Sequence, residues 1–135
     1  MSLYYNKVQK RNMQEPEKGN LWYPMLRSIG TIYDEELSQL VSERTSLHPR
    51  DSLVAIHGMQ AVMKERMSYG YNVCLHDLGS FRLTVHASGV ATLDEVTPEL
   101  IKQVRIRYLP TASLRKYINN VGFIPVESLL SQITT

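Results

Sequence analysis

Two short segments with alternating side chains limit what this chain can fold into. Residues 81–85 read Phe-Arg-Leu-Thr-Val, and residues 104–108 read Val-Arg-Ile-Arg-Tyr. A period of two is typical of β-strands, in which successive side chains point to opposite faces. If the two strands pair in one sheet, the apolar face packs on a hydrophobic core. The other face then carries Arg82, Arg105 and Arg107, and such a surface suits a polyanion better than a small substrate.

The composition predicts one globular domain with a modest core. The chain has 135 residues, 43% of them hydrophobic and 21% charged, which excludes an extended disordered chain. The net charge is only +2, so the distribution of charge matters more than its sum. No apolar run approaches the roughly 20 residues of a membrane span, and the N-terminus lacks a signal-peptide pattern. The default expectation is a soluble cytosolic protein with no membrane partner.

The sequence carries no pattern typical of catalysis or metal binding. The single cysteine, Cys74, lies in an apolar strand-like run, and we expect its thiol to be buried and unreactive. One cysteine and four histidines without metal-ligand spacing cannot form a structural zinc site. No Gly-rich phosphate loop, Gly-x-Ser-x-Gly elbow or His-Glu-x-x-His motif occurs. We therefore expect a non-enzymatic protein with no cofactor and no small-molecule substrate.

The order of predicted elements favours the α+β class. Helices followed by a run of strands argue against a doubly wound sheet. The predicted elements are strands at 3–11 and within 21–32, a helix from a cap at Asp34 to about Thr45, a helix from Pro49 to Gly70, strands at 71–75, 80–86 and 104–109, and helices at 98–103 and 112–119.

The second helix is the best defined of these elements. His48 is predicted as its cap, Pro49 fits the first helical position, and Gly70 is a natural stop. The apolar band of this helix is wider than one short neighbouring helix can cover. That excess indicates burial against a second subunit.

Residues 73–81, which follow the helix pair, read Val-Cys-Leu-His-Asp-Leu-Gly-Ser-Phe. This segment resembles the apolar strand and glycine-containing turn of the HU/IHF-type bacterial histone-like DNA-binding proteins, and residues 114–116 resemble their basic C-terminal helix. The resemblance implies a helix pair, a three-stranded antiparallel sheet with a protruding arm, and a C-terminal helix in an intertwined dimer. It makes 33–119 an HU-like domain, preceded by an N-terminal strand extension at 1–32 and followed by a tail at 120–135.

The whole chain is also similar to a subgroup of HU-like proteins from Bacteroides-type bacteria. The similarity lies in Tyr-Tyr-Asn-Lys-Val-Gln-Lys-Arg-Asn at 4–12, Trp-Tyr-Pro at 22–24, Arg-Ser-Ile-Gly-Thr at 27–31 and Gly-Ser-Phe-Arg-Leu-Thr-Val at 79–85. Membership implies a homodimer whose helices form a base and whose sheets form a saddle with projecting arms that hold DNA.

The stretch that corresponds to the arm, 87–103, departs from the larger family. Typical arms are rich in arginine and carry an Arg-Asn-Pro tip, whose proline wedges between base pairs. Here the stretch holds three carboxylates and one lysine, a net charge of −2. Pro98 lies in a Thr-Pro-Glu context that is typical of a helix start. The resemblance therefore does not carry the wedge role, or the strong DNA bending that inserted side chains produce, to this chain.

The three arginines of the alternating strands are the main candidates for contacts with DNA phosphates. Arginine supplies the fixed charge and forked donors that phosphate recognition requires. The competing interpretation is a solvated sheet face that discourages edge aggregation. Four further candidates for DNA contact have an ordinary exposed surface as their alternative: Lys7, Lys10, Arg11 and His86. Two more, Arg115 and Lys116, either contact backbone phosphates or only favour the C-terminus of their helix.

These patterns predict an HU-like, nucleoid-associated homodimer in the bacterial cytoplasm that binds double-stranded DNA with low sequence specificity. Binding through the basic sheet face would be mostly electrostatic and shape-based. The alternative is an HU-fold scaffold or protein-interaction module that has lost strong DNA binding. The weak net charge and the acidic stretch 87–103 favour that alternative.

Overall fold

The computed structural model describes residues 1–133 and has the α+β architecture that the order of elements predicts. Within that range, no helix is both long and apolar enough to cross a lipid bilayer. In chain order the helices and strands are β1 (Ser2–Arg11), β2 (Asn20–Arg27), α1 (Asp34–Arg44), α2 (Pro49–Ser68), β3 (Val73–Leu75), β4 (Gly79–Ala87), β5 (Ile101–Pro110), α3 (Ala112–Asn119), β6 (Gly122–Pro125) and α4 (Val126–Ile133).

The chain divides into two compact units. Unit 1 comprises Met1–Ile32 together with the segment that begins at Ile118, and unit 2 comprises Tyr33–Tyr117. Unit 1 holds a three-stranded sheet in the order β2-β1-β6, in which β2 is antiparallel and β6 parallel to the central strand β1. Unit 2 holds the two long helices and a second sheet in the order β3-β4-β5.

The start of α2 agrees with the prediction, whereas the start of α1 differs from it. The His48 ring accepts a hydrogen bond from the Arg50 backbone N–H through Nδ1 at 3.2 Å, which confirms His48 as the cap. Asp34, predicted as the cap of α1, is instead the first helical residue. Its carboxylate lies 3.1 Å from His57 Nε2 and accepts from Gln60 Nε2 at 3.3 Å, so it ties α1 to α2.

The last strand of the second sheet, β5, begins earlier in the chain than the sequence predicts. β4 and β5 pair antiparallel from Gly79 opposite Pro110 to His86 opposite Gln103, with a register shift beyond His86. The Ser88 N–H donates to the Leu100 carbonyl at 3.1 Å and extends the ladder toward the protrusion. The helix predicted at 98–103 is therefore reduced to a 3-10 turn over Pro98–Leu100, and the strand starts at Ile101.

The turn before β4 is held against the end of β5. The Tyr108 hydroxyl donates to the Leu78 carbonyl at 2.7 Å, and the Thr111 N–H donates to the same carbonyl at 3.2 Å. The chain can approach this closely because Gly79 has φ +141°, a conformation that residues with a Cβ rarely adopt. The junction between turn and strand thus depends on a glycine at this position.

Gly79→Ala is expected to lower the free energy of unfolding by about 3 kcal/mol and the melting temperature by roughly 10 °C. A Cβ at this position would overlap the Leu109 carbonyl oxygen and lie 2.9 Å from Pro110 Cα, and these backbone atoms cannot move without breaking the ladder. Thermal unfolding followed by circular dichroism measures the change. Gly89→Ala is the matched control, because its Cβ would meet nothing within 4 Å. Equal melting temperatures for the two variants would contradict this account.

The described residues bury no hydrophobic side chain. The sequence predicts a hydrophobic core behind the arginine-bearing strands, and within one chain this prediction is wrong. Phe81 is half-buried and its ring centroid lies 5.2 Å from that of Tyr108. Leu83, Val85 and Ile106 continue the same apolar face and remain exposed. A chain of this length normally encloses a hydrophobic core. Within the described part of one chain, no other element buries the apolar face of this sheet.

Candidate nucleic-acid interface

Three arginines share one face of the β3-β4-β5 sheet. Residues directly opposite each other in an antiparallel pair lie on the same face. Arg82 is opposite Arg107, Thr84 is opposite Arg105, and His86 is opposite Gln103. We call this surface the arginine face; its members are Arg82, Thr84, His86, Gln103, Arg105 and Arg107, all of them exposed.

The arginine face concentrates positive charge without an internal counter-charge. Like charges directly opposite each other in a sheet are destabilising, and Arg82 and Arg107 have this arrangement. Among residues 1–133, none of the three arginines forms an ion pair with a carboxylate. Their guanidinium groups are therefore available to an anion from outside the chain.

The single cysteine lies on the same face. Cys74 is opposite Ser80, which is two residues before Arg82 on β4. The thiol is exposed, so the expectation that it is buried and unreactive is wrong with respect to burial. The physical reason is that β3 is an edge strand, and its alternation directs Cys74 to the polar side of the sheet.

The helix after β5 carries two more of the candidate residues. Arg115 and Lys116 lie on α3, and both are exposed. The Thr111 hydroxyl accepts from the Leu114 N–H at 3.1 Å, which fixes the first turn of this helix. Lys116 is in its last turn, where a cation also interacts favourably with the helix dipole.

The remaining basic candidates lie on β1, in unit 1. Alternation puts Lys7 and Arg11 on one face of the β2-β1-β6 sheet and Lys10 on the other. Lys7 Nζ lies 3.6 Å from a carboxylate oxygen of Glu127 on α4, and both side chains are exposed. The sequence analysis did not identify Glu127 as a partner, because the pair depends on the fold of residues 122–133.

The protrusion between β4 and β5, residues 88–100, is acidic and irregular. Asp94 and Glu95 lie in a 3-10 turn, and Glu99 follows Pro98 in a second one. All three carboxylates are exposed. The protrusion therefore adds negative charge beside the arginine face and contains none of the arginines that would attract phosphate.

An apolar surface in unit 1 was missed by the sequence analysis. Trp22, Tyr5 and Phe123 contribute to a shallow hollow of about 690 Å³ on the β2-β1-β6 sheet. Alternation within 3–11 and 20–27 was the available signal, but the contribution of β6 depends on a parallel pairing between distant segments.

Comparison with known proteins decides the family. The model of HU-HIG, described as an HU domain fused to a wHTH, Ig or glycine-rich motif, matches residues 1–125. The chain belongs to the HU-HIG family. The HU relationship predicted from residues 73–81 is thereby confirmed at the level of the family. No curated protein matches this HU-HIG chain.

A solved structure has the same overall fold as this HU-HIG chain. It is the crystal structure of a proposed bacterial DNA-binding protein from Bacteroides vulgatus ATCC 8482, with a TM-score of 0.60 and 14% sequence identity. The match covers 90% of the HU-HIG chain and 47% of the solved chain. The chain therefore spans about half the length of that relative, and at this identity the likeness concerns the fold alone.

Proposed function

We propose that this chain is a non-enzymatic HU-like protein that binds double-stranded DNA through the arginine face as a homodimer. One observation carries the proposal: Arg82 and Arg107 lie opposite each other, with Arg105 on the same face, and none of them has a carboxylate partner within residues 1–133. A polyanion offsets the mutual repulsion of such a cluster, and the phosphate backbone of DNA supplies closely spaced anionic charge.

The expected binding mode has low sequence specificity. Phosphate contacts position a protein on DNA but carry no base information. The arginine face is a sheet surface, and among the described residues no helix presents the Arg, Asn and Gln surface that reads the major groove. The acidic protrusion 88–100 provides no basic arm to add affinity. Binding is therefore mostly electrostatic and modest in strength.

The dimer is proposed because the opposite face of the same sheet is apolar and exposed. Ile106, at the centre of this face, is 72% exposed. On α2, Val54 and Val62 are exposed as well. A second copy that covers these surfaces would remove apolar area from water at about 25 cal/mol per Å². The intertwined HU-type dimer is an arrangement that meets this need.

Narrower assignments rest on the resemblance. The motifs at 4–12 and 22–24 support membership of the HU-like subgroup from Bacteroides-type bacteria. A DNA partner would place the protein with the nucleoid in the bacterial cytoplasm. The domain boundaries at 32/33 and 119/120 belong to the same proposal.

Duplex DNA is expected to slow the alkylation of Cys74 by N-ethylmaleimide at least tenfold. Cys74 lies diagonally from Arg82 across the β3–β4 ladder, at a separation of about 7–8 Å, so DNA held by the arginines covers the thiol. Since the chain has one cysteine, the total rate of thiol loss reports this site alone. The measurement uses a 30-base-pair duplex at saturating concentration and 50 mM salt.

A relocated thiol provides the control. In the Cys74→Ser/Ser46→Cys double variant, the only thiol lies in the loop between α1 and α2, and its alkylation rate is expected to stay unchanged when DNA is added. An unchanged rate at Cys74 itself, with the duplex demonstrably bound, would mean that DNA occupies another surface.

A second candidate function is an HU-fold scaffold for protein assembly. Its support is that unit 2 holds ten Lys and Arg against ten Asp and Glu, with Asp94, Glu95 and Glu99 clustered on the protrusion. Such a neutral unit attracts DNA only through its local distribution of charge. The two functions differ in one observable, because a scaffold without DNA binding gives no duplex complex even at low salt.

A further inference from the structure

The β2-β1-β6 sheet of unit 1 presents aromatic and cationic side chains on one face. In the β1–β2 register, Tyr5 is opposite Leu26, Lys7 is opposite Pro24, and Gln9 is opposite Trp22; in the β1–β6 register, Leu3 is opposite Phe123. Residues paired in this way share a face. We call this surface the aromatic face; its aromatic and cationic members include Tyr5, Lys7, Arg11, Trp22 and Phe123.

The aromatic rings of this face are open to solvent. Trp22 is 67% and Phe123 is 65% exposed, and Tyr5 is half-buried between them on the central strand. All three line one shallow hollow. Phe123 on β6 is opposite Leu3 of β1, and Trp22 on β2 is opposite Gln9 of β1. Their levels along β1 therefore differ by six residues, about 20 Å at the rise of a strand. The rings thus form a track across the sheet.

Cations accompany the rings along this track. Lys7 lies between the levels of Tyr5 and Trp22 on β1, and Arg11 lies beyond Trp22 on the same face. Unit 1 contains five Lys and Arg against three Glu, a net charge of +2, whereas unit 2 is neutral. The whole positive excess of the chain therefore belongs to the unit that holds the aromatic face.

We propose that the aromatic face binds single-stranded nucleic acid, with bases stacked on Trp22, Tyr5 and Phe123 and phosphates held by Lys7 and Arg11. Exposed aromatic rings interleaved with cations are the chemistry of sequence-tolerant single-strand binding. A duplex cannot use this face in the same way, because its bases are already stacked on one another. Aromatic rings and arginine also occur at protein interfaces, but Lys7 lies among these rings, and the cores of protein interfaces are depleted of lysine. This site is separate from the proposed duplex contact at the arginine face.

The Lys7–Glu127 contact makes the site adjustable. The two groups are 3.6 Å apart and both are exposed, so a phosphate can displace the carboxylate at little cost. Glu127→Gln frees Lys7 and is expected to raise the affinity for single strands roughly two- to fivefold. A merely structural ion pair would give no gain in affinity on this substitution.

The test uses the full chain and a fluorescein-labelled 12-mer of deoxythymidine at 50 mM salt. Fluorescence anisotropy measures binding, and quenching of intrinsic emission measures stacking on Trp22, which is the only tryptophan of the chain. We expect binding accompanied by quenching. Trp22→Ala should weaken binding roughly five- to 150-fold, whereas Trp22→Phe, which keeps a stacking ring, should weaken it less.

Matched variants separate this site from the duplex site. Tyr69→Ala removes a ring that is 69% exposed at the end of α2 and should leave 12-mer binding unchanged. Trp22→Ala should retain duplex affinity, and a variant with alanine at Arg82, Arg105 and Arg107 should retain 12-mer affinity. If one of the two sites does not bind its nucleic acid, binding at the other site can therefore still be tested.

Three outcomes would overturn the proposal. One is the absence of 12-mer binding at 50 mM salt. Another is binding that neither quenches tryptophan emission nor responds to Trp22→Ala. The third is a tryptophan emission maximum that shifts with protein concentration, together with a Trp22→Ala variant that sediments as a smaller species, which would mean that a second copy covers this face.

Discussion

Replacing Arg82, Arg105 and Arg107 together by alanine is expected to weaken duplex binding at least a hundredfold at 50 mM salt. In a dimer the substitution removes six guanidinium groups, and six phosphate contacts account for several decades of affinity at low salt. The fold should persist, because all three side chains are exposed and two of them repel each other across the ladder. Fluorescence anisotropy with a labelled 30-base-pair duplex measures the loss.

The control removes the same charge from another surface. Arg50, Lys64 and Arg66 are exposed cations on α2, and their joint replacement by alanine should change duplex affinity no more than about threefold, through screened long-range attraction. If both triple variants lose affinity equally, only net charge matters and the arginine face is not the site. If neither loses affinity, DNA binds elsewhere on the chain.

Ile106→Asp is expected to abolish the homodimer and, with it, duplex binding. Ile106 lies opposite Leu83 on the apolar face of the β3-β4-β5 sheet. An uncompensated buried charge costs about 3–5 kcal/mol, and the dimer would contain two. The dissociation constant of the dimer should therefore rise by more than about 10⁴-fold. Sedimentation at micromolar concentration should show the loss of a species of about 31 kDa, twice the 15.5 kDa mass of one chain.

The control, Val96→Asp, introduces the same side chain at a position that the proposed dimer does not bury. Val96 is 63% exposed on the protrusion, outside the apolar face of the sheet. This variant should remain a dimer. A wild-type chain that sediments at about 15.5 kDa and is stably folded would contradict the proposed dimer and leave the exposed apolar face without an explanation.

The alternating segments show what local pattern alone can establish. The period of two in residues 81–85 and 104–108 fixes which side chains share a face, and the register of β4 and β5 brings those residues together. The cap at His48 was readable because it depends on a near neighbour in sequence, the Arg50 backbone N–H. The turn at Gly79 was readable from the glycine itself, whose φ is +141°, whereas the contacts that hold this turn against the end of β5 join residues about 30 positions apart. Whether the arginines contact DNA is not contained in the pattern and stays a prediction.

The expectations that failed all depend on what covers a surface. The core behind the arginine strands was expected within one chain, but a period of two shows only that one face is apolar and not which molecule buries it. Cys74 was expected to be buried on the basis of its apolar neighbours, yet its position on an edge strand leaves it exposed. The aromatic face depends on β6, whose parallel pairing with β1 joins residues more than 100 positions apart.

The salt dependence of duplex binding by the wild-type chain tests the central claim most directly. Six phosphate contacts predict that log K falls with log salt at a slope of roughly −5, so affinity should drop about a thousandfold between 50 and 200 mM salt. Anisotropy titrations of one labelled duplex at these two concentrations give the slope. A complex at 50 mM salt that weakens this steeply is the predicted result. No detectable complex at 50 mM salt, or an affinity that salt does not change, would contradict DNA binding through the arginine face.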